Sequence, residues 1–536
     1  MKLLTLNKPT SVLFLLWLLA TSLNLTKAFH IDDAFHLAAA QWIEHHPFRP
    51  MSGKVLWDFG YVPISQYNQP PLYFYFVSWV GHVLGYREVP LHLMQAVFTL
   101  LAIYFFYKIA RLLIPAYALL STAFLVLNPA FLINQNLMVD MPLLSLHLLF
   151  IYLLINPEFK SDWLRYGLAG FVLSLALLIK YTSLPLLVLF SIHLVLNKKF
   201  KFLITVLIPV GVLALWSLAN YYEFNSFHLF RPTAGFNLRH VGSQLLAYVL
   251  TLGAIVPFSL VYVAGYFKER RRLVASAVGL TISFLVLLIL ITYTGWITEK
   301  ISRKALWVLH LLNGVTFLFL IIRGCLQNLN FKNLKKFLTS SSGLLILWAA
   351  GMAGFIILFA PFMATRHVLL VLPVFLIFGA KWLAYASQKI KIITLLFTTC
   401  LSLILGISDW FFADLYRQEA ATARNKIKSN AVVWTVGYWG WHWYSQQAGM
   451  QPYVASQSQP NQNDYFVIPA NLPHQEFKQK NKLRLIEQKI IYRNFISFFA
   501  GSNIPGLYST DRKNTSWKLT HLPLDTIQIY QVRESF

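Results

Sequence analysis

The stretch SVLFLLWLLATSLNLTKAFHIDDAFHLAAAQWI, Ser11 to Ile43, runs an apolar segment straight into two adjacent carboxylates. Its apolar part, Ser11 to Leu25, suits a helix entering a hydrocarbon core ~30 Å thick. Lys8 precedes it and no small-residue cleavage pattern follows, so it reads as an uncleaved first span. The next stretch, residues 29–90, holds too many charges and prolines to face lipid. It is expected as a large first loop with short interfacial helices.

The rest of the chain supports a membrane setting. Of 536 residues, 57% are hydrophobic and only 12% charged, and the mean hydropathy is +0.56, far from a soluble globular average. Lys and Arg number 45 against 20 Asp and Glu, a net charge of +25. That charge falls in short clusters between apolar runs, where it reads as topology signal beside anionic lipid rather than as a nucleic-acid surface. The two cysteines, Cys325 and Cys400, lie far apart beside apolar runs and offer no disulfide framework.

About thirteen apolar runs satisfy the length of a span, among them Leu91–Leu113, Ala118–Ile133, Leu245–Phe267 and Val368–Ala384. Basic clusters at Lys198, Lys199 and Lys201, at Lys268 to Arg272, at Lys332, Lys335 and Lys336, and at Lys389 and Lys391 then fall on one face, the cytoplasmic one. Lys300, Arg303 and Lys304 fall on the other. Thirteen spans put the N-terminus in the cytoplasm and residues 411–536 outside, as a soluble α+β domain after an all-α transmembrane domain of residues 1–410. Within that domain Ala431–Gly437, Tyr465–Pro469 and Thr526–Val532 read as strands and Trp439–Ala448 as a helical region. No repeat of fixed period is present, which argues against a transporter built from inverted repeats.

Carboxylates are scarce here, so their positions carry information. Asp32 and Asp33 stand side by side just past the first span, and Asp140 ends a loop expected on the same face. Each suits a helix N-cap. Neighbouring carboxylates at a membrane surface otherwise call for a cation, a hydroxyl donor or opposite charge. Lys180 and the pair Arg366–His367 lie at span ends expected on that same face, where snorkelling is their ordinary use and neutralising an anionic leaving group is the alternative. Gln69, Tyr73 and Tyr75, in QYNQPPLYFYF, belong to a stiff aromatic segment suited either to the headgroup level or to lining a substrate. Asp32, Asp33 and Asp140 are the oxygen ligands a divalent cation would use, but their spacing alone establishes no metal site.

Taken in order, DDAFHLAAAQWI, NQPPLYFY, LMVDMPLL, LIKYTSLPLL, TRHVLLVLP and VGYWGWHWYSQQAGM resemble the GT-C class of integral-membrane glycosyltransferases. They are most similar to the branch of protein O-mannosyltransferases and lipid A aminoarabinose transferases. The resemblance implies a polyprenyl-phosphate sugar donor and a lipid, glycan or protein acceptor reached at the outer face of a bacterial inner membrane, with the C-terminal domain periplasmic. It implies that Asp32 and Asp33 are the first-loop acids, Asp140 the second-loop acid and Lys180 the lysine after the fifth span. Gln69 stands where some relatives carry a lysine, which shifts donor-phosphate contact toward Lys180 and Arg366.

The chemistry agrees with that expectation. A glycosyl phosphate already has a good leaving group, so the catalyst activates an acceptor hydroxyl and stabilises the departing phosphate. Asp32 is the expected base, Asp33 or Asp140 an orienting group, and a single displacement inverts the anomeric carbon. GYWGWHWY is read as packing of the outer domain rather than a sugar platform. A flippase for the lipid-linked sugar, or a noncatalytic scaffold, is the alternative; functional charges gathered at one surface rather than at the midplane favour the enzyme.

Overall fold

The computed structural model describes residues 8–57, 60–67, 69–230, 238–328, 334–455, 457–492, 506–520 and 522–536. Lys332 of the basic loops and Asn68 of the proline motif lie outside them. The first apolar run is helix α1 (Lys8–Asn24). The loop after it holds α2 (Asp33–His45), the antiparallel hairpin β1 (Lys54–Trp57) and β2 (Gly60–Pro63), and α3 (Leu72–Leu84).

The helical body continues through α4 (Glu88–Leu113), α5 (Ala118–Val126), α6 (Pro129–Ile133), α7 (Asp140–Ile155), α8 (Asp162–Ile179), α9 (Leu184–Leu196) and α10 (Leu207–Phe224). After these come α11 (Leu238–Ile255), α12 (Ser259–Tyr266), α13 (Arg271–Tyr293), α14 (Glu299–Asn328), α15 (Leu334–Leu338), α16 (Ser341–Phe359), α17 (Thr365–Leu369), α18 (Leu372–Leu383) and α19 (Gln388–Asn425).

Among the described residues seven helices are long and apolar enough to cross a membrane, or eight if α11 and α12, bent by 88°, form one span. The count of thirteen full spans is not reproduced on length, because several apolar runs are cut into shorter helices. Ala118–Ile133 divides at Asn128, whose side chain caps α6 by accepting the Ala130 N–H at 2.7 Å, with Pro129 in the first turn. Leu245–Phe267 divides at Pro257, which has no N–H to continue the ladder. The carbonyls freed at that break are all satisfied. Asn313 donates to Gly253 at 2.7 Å and Val256 at 3.2 Å, Trp517 to Ala254 at 3.0 Å, and Asn128 to Ile255. Irregular backbone at membrane depth survives only where protein groups replace water in this way. Gly253 itself must lack a side chain, since a Cβ there would meet the His310 carbonyl at 1.8 Å.

The C-terminal sheet contains β3 (Val433–Thr435), β4 (Gln451–Pro452), β5 (Tyr465–Pro469), β6 (Leu483–Ile491) and β7 (Asp525–Val532), in the order β4-β3-β5-β7-β6. β3 is parallel to β4 and β5, and β7 is antiparallel to β5 and β6, with Val467 opposite Ile529. Strand alternation sends Phe466 and Ile468 into a small core with Tyr453 and Tyr530, while Val467 and Ile529 join the large core continuous with the helices. Helix α20 (Trp439–Gln447) packs on α19 and α2. Trp441 is fully buried with its Nε1 on Thr435, so the aromatic cluster is packing, as expected. Gly440 lets α20 close on the first loop, because a Cβ there would meet the Phe29 carbonyl at 2.2 Å.

Candidate active site

Four separated segments converge on one charged cluster. Asp32 precedes α2, Asp140 opens α7, Lys180 occupies the extended turn between α8 and α9, and Arg366 lies in the short helix α17. Arg366 Nη2 is 3.3 Å from Asp32 Oδ2 and its Nε is 3.3 Å from Asp140 Oδ2. Lys180 Nζ donates to the other Asp140 oxygen at 3.1 Å. Charges thus alternate: Asp32, Arg366, Asp140, Lys180. Asp140 and Arg366 side chains are only 3% and 6% exposed, whereas Asp32 is 30% exposed and Lys180 18%, so the two ends of the chain are the accessible ones. Among the described residues Arg366 Nη1 is buried without a hydrogen-bond partner. A buried guanidinium nitrogen left unpaired is costly and matches a site for an incoming anionic oxygen.

The capping alternative fails for Asp32 and Asp140. Asp32 occupies the N-cap position of α2 and Asp140 the first turn of α7, yet neither helix has a side-chain cap bond. Asp33 turns inward instead. It is 1% exposed, and its Oδ2 accepts the His30 backbone N–H at 2.8 Å. Burial pushes its carboxyl up to about 8, so at neutral pH it is mostly protonated. His30, also buried, is held down to about 3 by burial and is neutral. The remaining expected residues divide. Gln69 meets His36 Nε2 at 3.0 Å, and His36 reaches the Leu137 carbonyl at 2.5 Å, tying the first loop to the segment before Asp140. Tyr73 is fully buried and donates to Gln95 at 3.0 Å, whereas Tyr75 turns to the Pro47 carbonyl, away from Tyr73. Residues two apart on a helix point to nearly opposite sides, so α3 cannot present both. His367 is buried next to Arg366 with its ring 5.6 Å from that of Phe362.

Among the described residues no group of three or more His, Cys, Asp or Glu is arranged to hold a metal ion. Asp32 and Asp140 instead share Arg366, and Asp33 is turned toward the His30 amide, so the three carboxylates do not form a common oxygen cage.

A second buried polar cluster escaped the sequence reading. Lys27, 2% exposed, pairs with fully buried Asp409 of α19 and donates to Asn136 at 2.5 Å. Tyr508 donates to Asp409 at 2.8 Å and accepts from Asn136 at 2.8 Å. The only signal for it is an Asp inside an apolar run, which is costly unless paired.

Residues 68–222 match the family model for dolichyl-phosphate-mannose-protein mannosyltransferase. The matched segment carries Gln69, Tyr73, Asp140 and Lys180, and it supports the GT-C glycosyltransferase resemblance. No curated protein matches the chain. Among solved structures it is similar to ArnT from Cupriavidus metallidurans bound to undecaprenyl phosphate, at 14% identity and a TM-score of 0.40, covering 86% of this chain and 92% of that one. The apo oligosaccharyltransferase of Archaeoglobus fulgidus aligns at 14% identity and a TM-score of 0.49, over 85% of this chain and 65% of that one. The S. cerevisiae protein O-mannosyltransferase complex bound to the sugar donor aligns at 15% identity and a TM-score of 0.31, over 42% of this chain and 35% of that one.

Proposed function

We propose that the protein is a membrane glycosyltransferase that moves a sugar from a polyprenyl-phosphate donor to an acceptor hydroxyl, with inversion, at the outer face of a bacterial inner membrane. The observation that carries the reading is the buried Arg366, shared by Asp32 and Asp140 with one guanidinium nitrogen unpaired among the described residues. Arg366 and Lys180 take the donor phosphate, and Asp140 fixes both cations in place without leaving either buried charge uncompensated. A phosphate oxygen that engages Arg366 competes with Asp32 for the guanidinium. Asp32, the more exposed carboxylate, is then turned toward the acceptor and takes its proton as the C–O bond to phosphate breaks. Protonated Asp33 does not compete for that role; it braces the turn from behind. Residues 1–410 are assigned as the transmembrane catalytic part and residues 411–536 as the periplasmic part, with α19 (Gln388–Asn425) running unbroken across that boundary.

The test supplies radiolabelled polyprenyl-phosphate sugar to proteoliposomes of the intact protein and follows label by mass spectrometry and chromatography of the lipid, glycan and protein pools. Label entering a new glycoside with inverted anomeric configuration supports the reading. Label that crosses the bilayer equally with intact protein and Asp32→Asn, and enters no glycoside, replaces it with the flippase.

A further inference from the structure

The segment Gly506–Thr510 comes from the C-terminal part of the chain, yet it is buried against both halves of the charged cluster. On one side, the Leu507 carbonyl accepts from the Thr365 backbone N–H at 3.1 Å and from its hydroxyl at 2.9 Å. Thr510 N–H donates to the Met363 carbonyl at 2.6 Å, forming an isolated antiparallel bridge across Met363 and Thr510. These bonds bracket the residues that lead into Arg366. Asn134 adds a third contact, donating to the Thr365 hydroxyl at 2.9 Å.

On the other side, Tyr508 reaches the turn that carries Asp32 and Asp33. Its hydroxyl bonds Asp409, which pairs with Lys27, and its ring meets the edge of the His30 ring at 5.4 Å. His30 in turn supplies the backbone N–H that Asp33 accepts. Leu507 is fully buried and Tyr508 and Thr510 are each 1% exposed, so neither side is a surface contact. Within the segment the Thr510 hydroxyl donates to the Gly506 carbonyl at 2.7 Å, and the same hydroxyl meets the Ser516 hydroxyl at 3.1 Å.

We propose that Gly506–Thr510 is a strap that sets the register between Arg366 and the Asp32–Asp33 turn, with Tyr508 and Thr365 as positioning residues for the transfer reaction. This inference rests on the transferase reading for its consequence and on geometry for its existence. Arg366 and Asp32 belong to segments more than 300 residues apart, joined directly by a single 3.3 Å contact to a partly exposed carboxylate. The strap holds the Arg366 side through buried hydrogen bonds at Met363 and Thr365, and the acid-turn side through the Tyr508 hydroxyl on Asp409 and the Tyr508–His30 ring contact. Its two arms have different effects. Tyr508 acts on the acid-bearing turn and so on the chemical step, whereas Thr365 acts on Arg366 and so on donor phosphate.

The experiment uses the full-length protein in nanodiscs and two conservative variants, Tyr508→Phe and Thr365→Val. Tyr508→Phe is expected to lower kcat roughly ten- to a hundred-fold with the donor KM within about three-fold. Thr365→Val is expected to raise the donor KM at least about five-fold with a smaller effect on kcat. Amide hydrogen exchange supplies a readout independent of activity. Exchange at residues 27–36 should quicken in Tyr508→Phe and at 363–369 in Thr365→Val, each beyond the strap itself. Exchange changes confined to residues 506–510 in both variants overturn the inference. So does the same kcat and KM profile in both variants as in the intact protein. If Tyr508→Phe does not fold, Thr365→Val, which leaves the Lys27–Asp409 pair intact, carries the test. If the intact protein transfers no sugar, the transferase reading fails, and the exchange data still decide the strap.

Discussion

Asp140 holds Arg366 by its Nε at 3.3 Å, leaving Nη2 for Asp32 and, among the described residues, Nη1 without a partner. Two carboxylates therefore fix the orientation of the guanidinium, whose carbon also lies 5.7 Å from the centre of the Phe362 ring. Because Asp140 also receives Lys180 at 3.1 Å, it is a poor candidate for a proton acceptor and a good one for a clamp.

Asp140→Asn should therefore cost stability and donor binding together. Removing one partner of a buried ion pair costs about 3–5 kcal/mol; here Lys180 loses its carboxylate and Arg366 keeps only Asp32. The expected result is a lower thermal midpoint in detergent and at least a tenfold loss of donor affinity. Unchanged donor affinity in a folded Asp140→Asn protein would contradict the clamp.

Arg366→Lys keeps the charge but loses the planar fork, and a point charge cannot meet Asp32, Asp140 and a phosphate at once. The donor KM should rise about tenfold or more while the protein still folds. Kinetics equal to those of the intact protein would show that the fork is not used.

Asp33→Asn should behave almost as the intact protein near neutral pH, because burial has already pushed Asp33 up to about 8. The sign of the stability effect follows. Between the unfolded carboxyl value near 4 and about 8, the folded state holds a proton that the unfolded chain has released. This contribution is fully present below pH ~4 and is lost as pH rises through about 8. Asp33→Asn should flatten that part of the unfolding midpoint against pH. A slope identical to that of the intact protein would mean that Asp33 is ionised in the fold.

Gly440→Ala places a Cβ 2.2 Å from the Phe29 carbonyl, three residues before Asp32. Neither partner is a flexible side-chain tip, so α20 must back away from the first loop. A fall in thermal midpoint together with slower transfer is expected. Normal stability with normal turnover would show that the docking of α20 does not matter to the acid turn.

Much of this arrangement was legible in the sequence, for identifiable reasons. Apolar runs and their interruptions gave a polytopic helical body, and the strands at Tyr465–Pro469 and Thr526–Val532 appear almost at the expected bounds. Asp32, Asp140, Lys180 and Arg366 stood out because charge is rare in this chain and each sits at the end of an apolar run. Span lengths were less legible, since Asn128 and Pro257 break helices whose composition stays apolar throughout. The separate fates of Asp32 and Asp33 were also hidden. Adjacent helical residues point about 100° apart, so one carboxylate reaches the cluster while the other is buried, but the sequence does not say which. Of the Lys27–Asp409–Tyr508 cluster only Asp409, an acid inside an apolar run, was legible, and not its partners. Its members lie in three distant segments, Lys27 and Asp409 being 382 positions apart, and a lysine at the end of a span ordinarily reads as snorkelling.

The most direct test of the central claim is a single-turnover measurement of sugar transfer from radiolabelled polyprenyl-phosphate donor by Asp32→Asn, alongside donor binding to the same preparation. If Asp32 takes the acceptor proton, donor binding stays within about threefold while the transfer rate falls roughly 10²- to 10⁴-fold. Transfer at the rate of the intact protein, in a variant that folds and binds donor normally, would contradict the account.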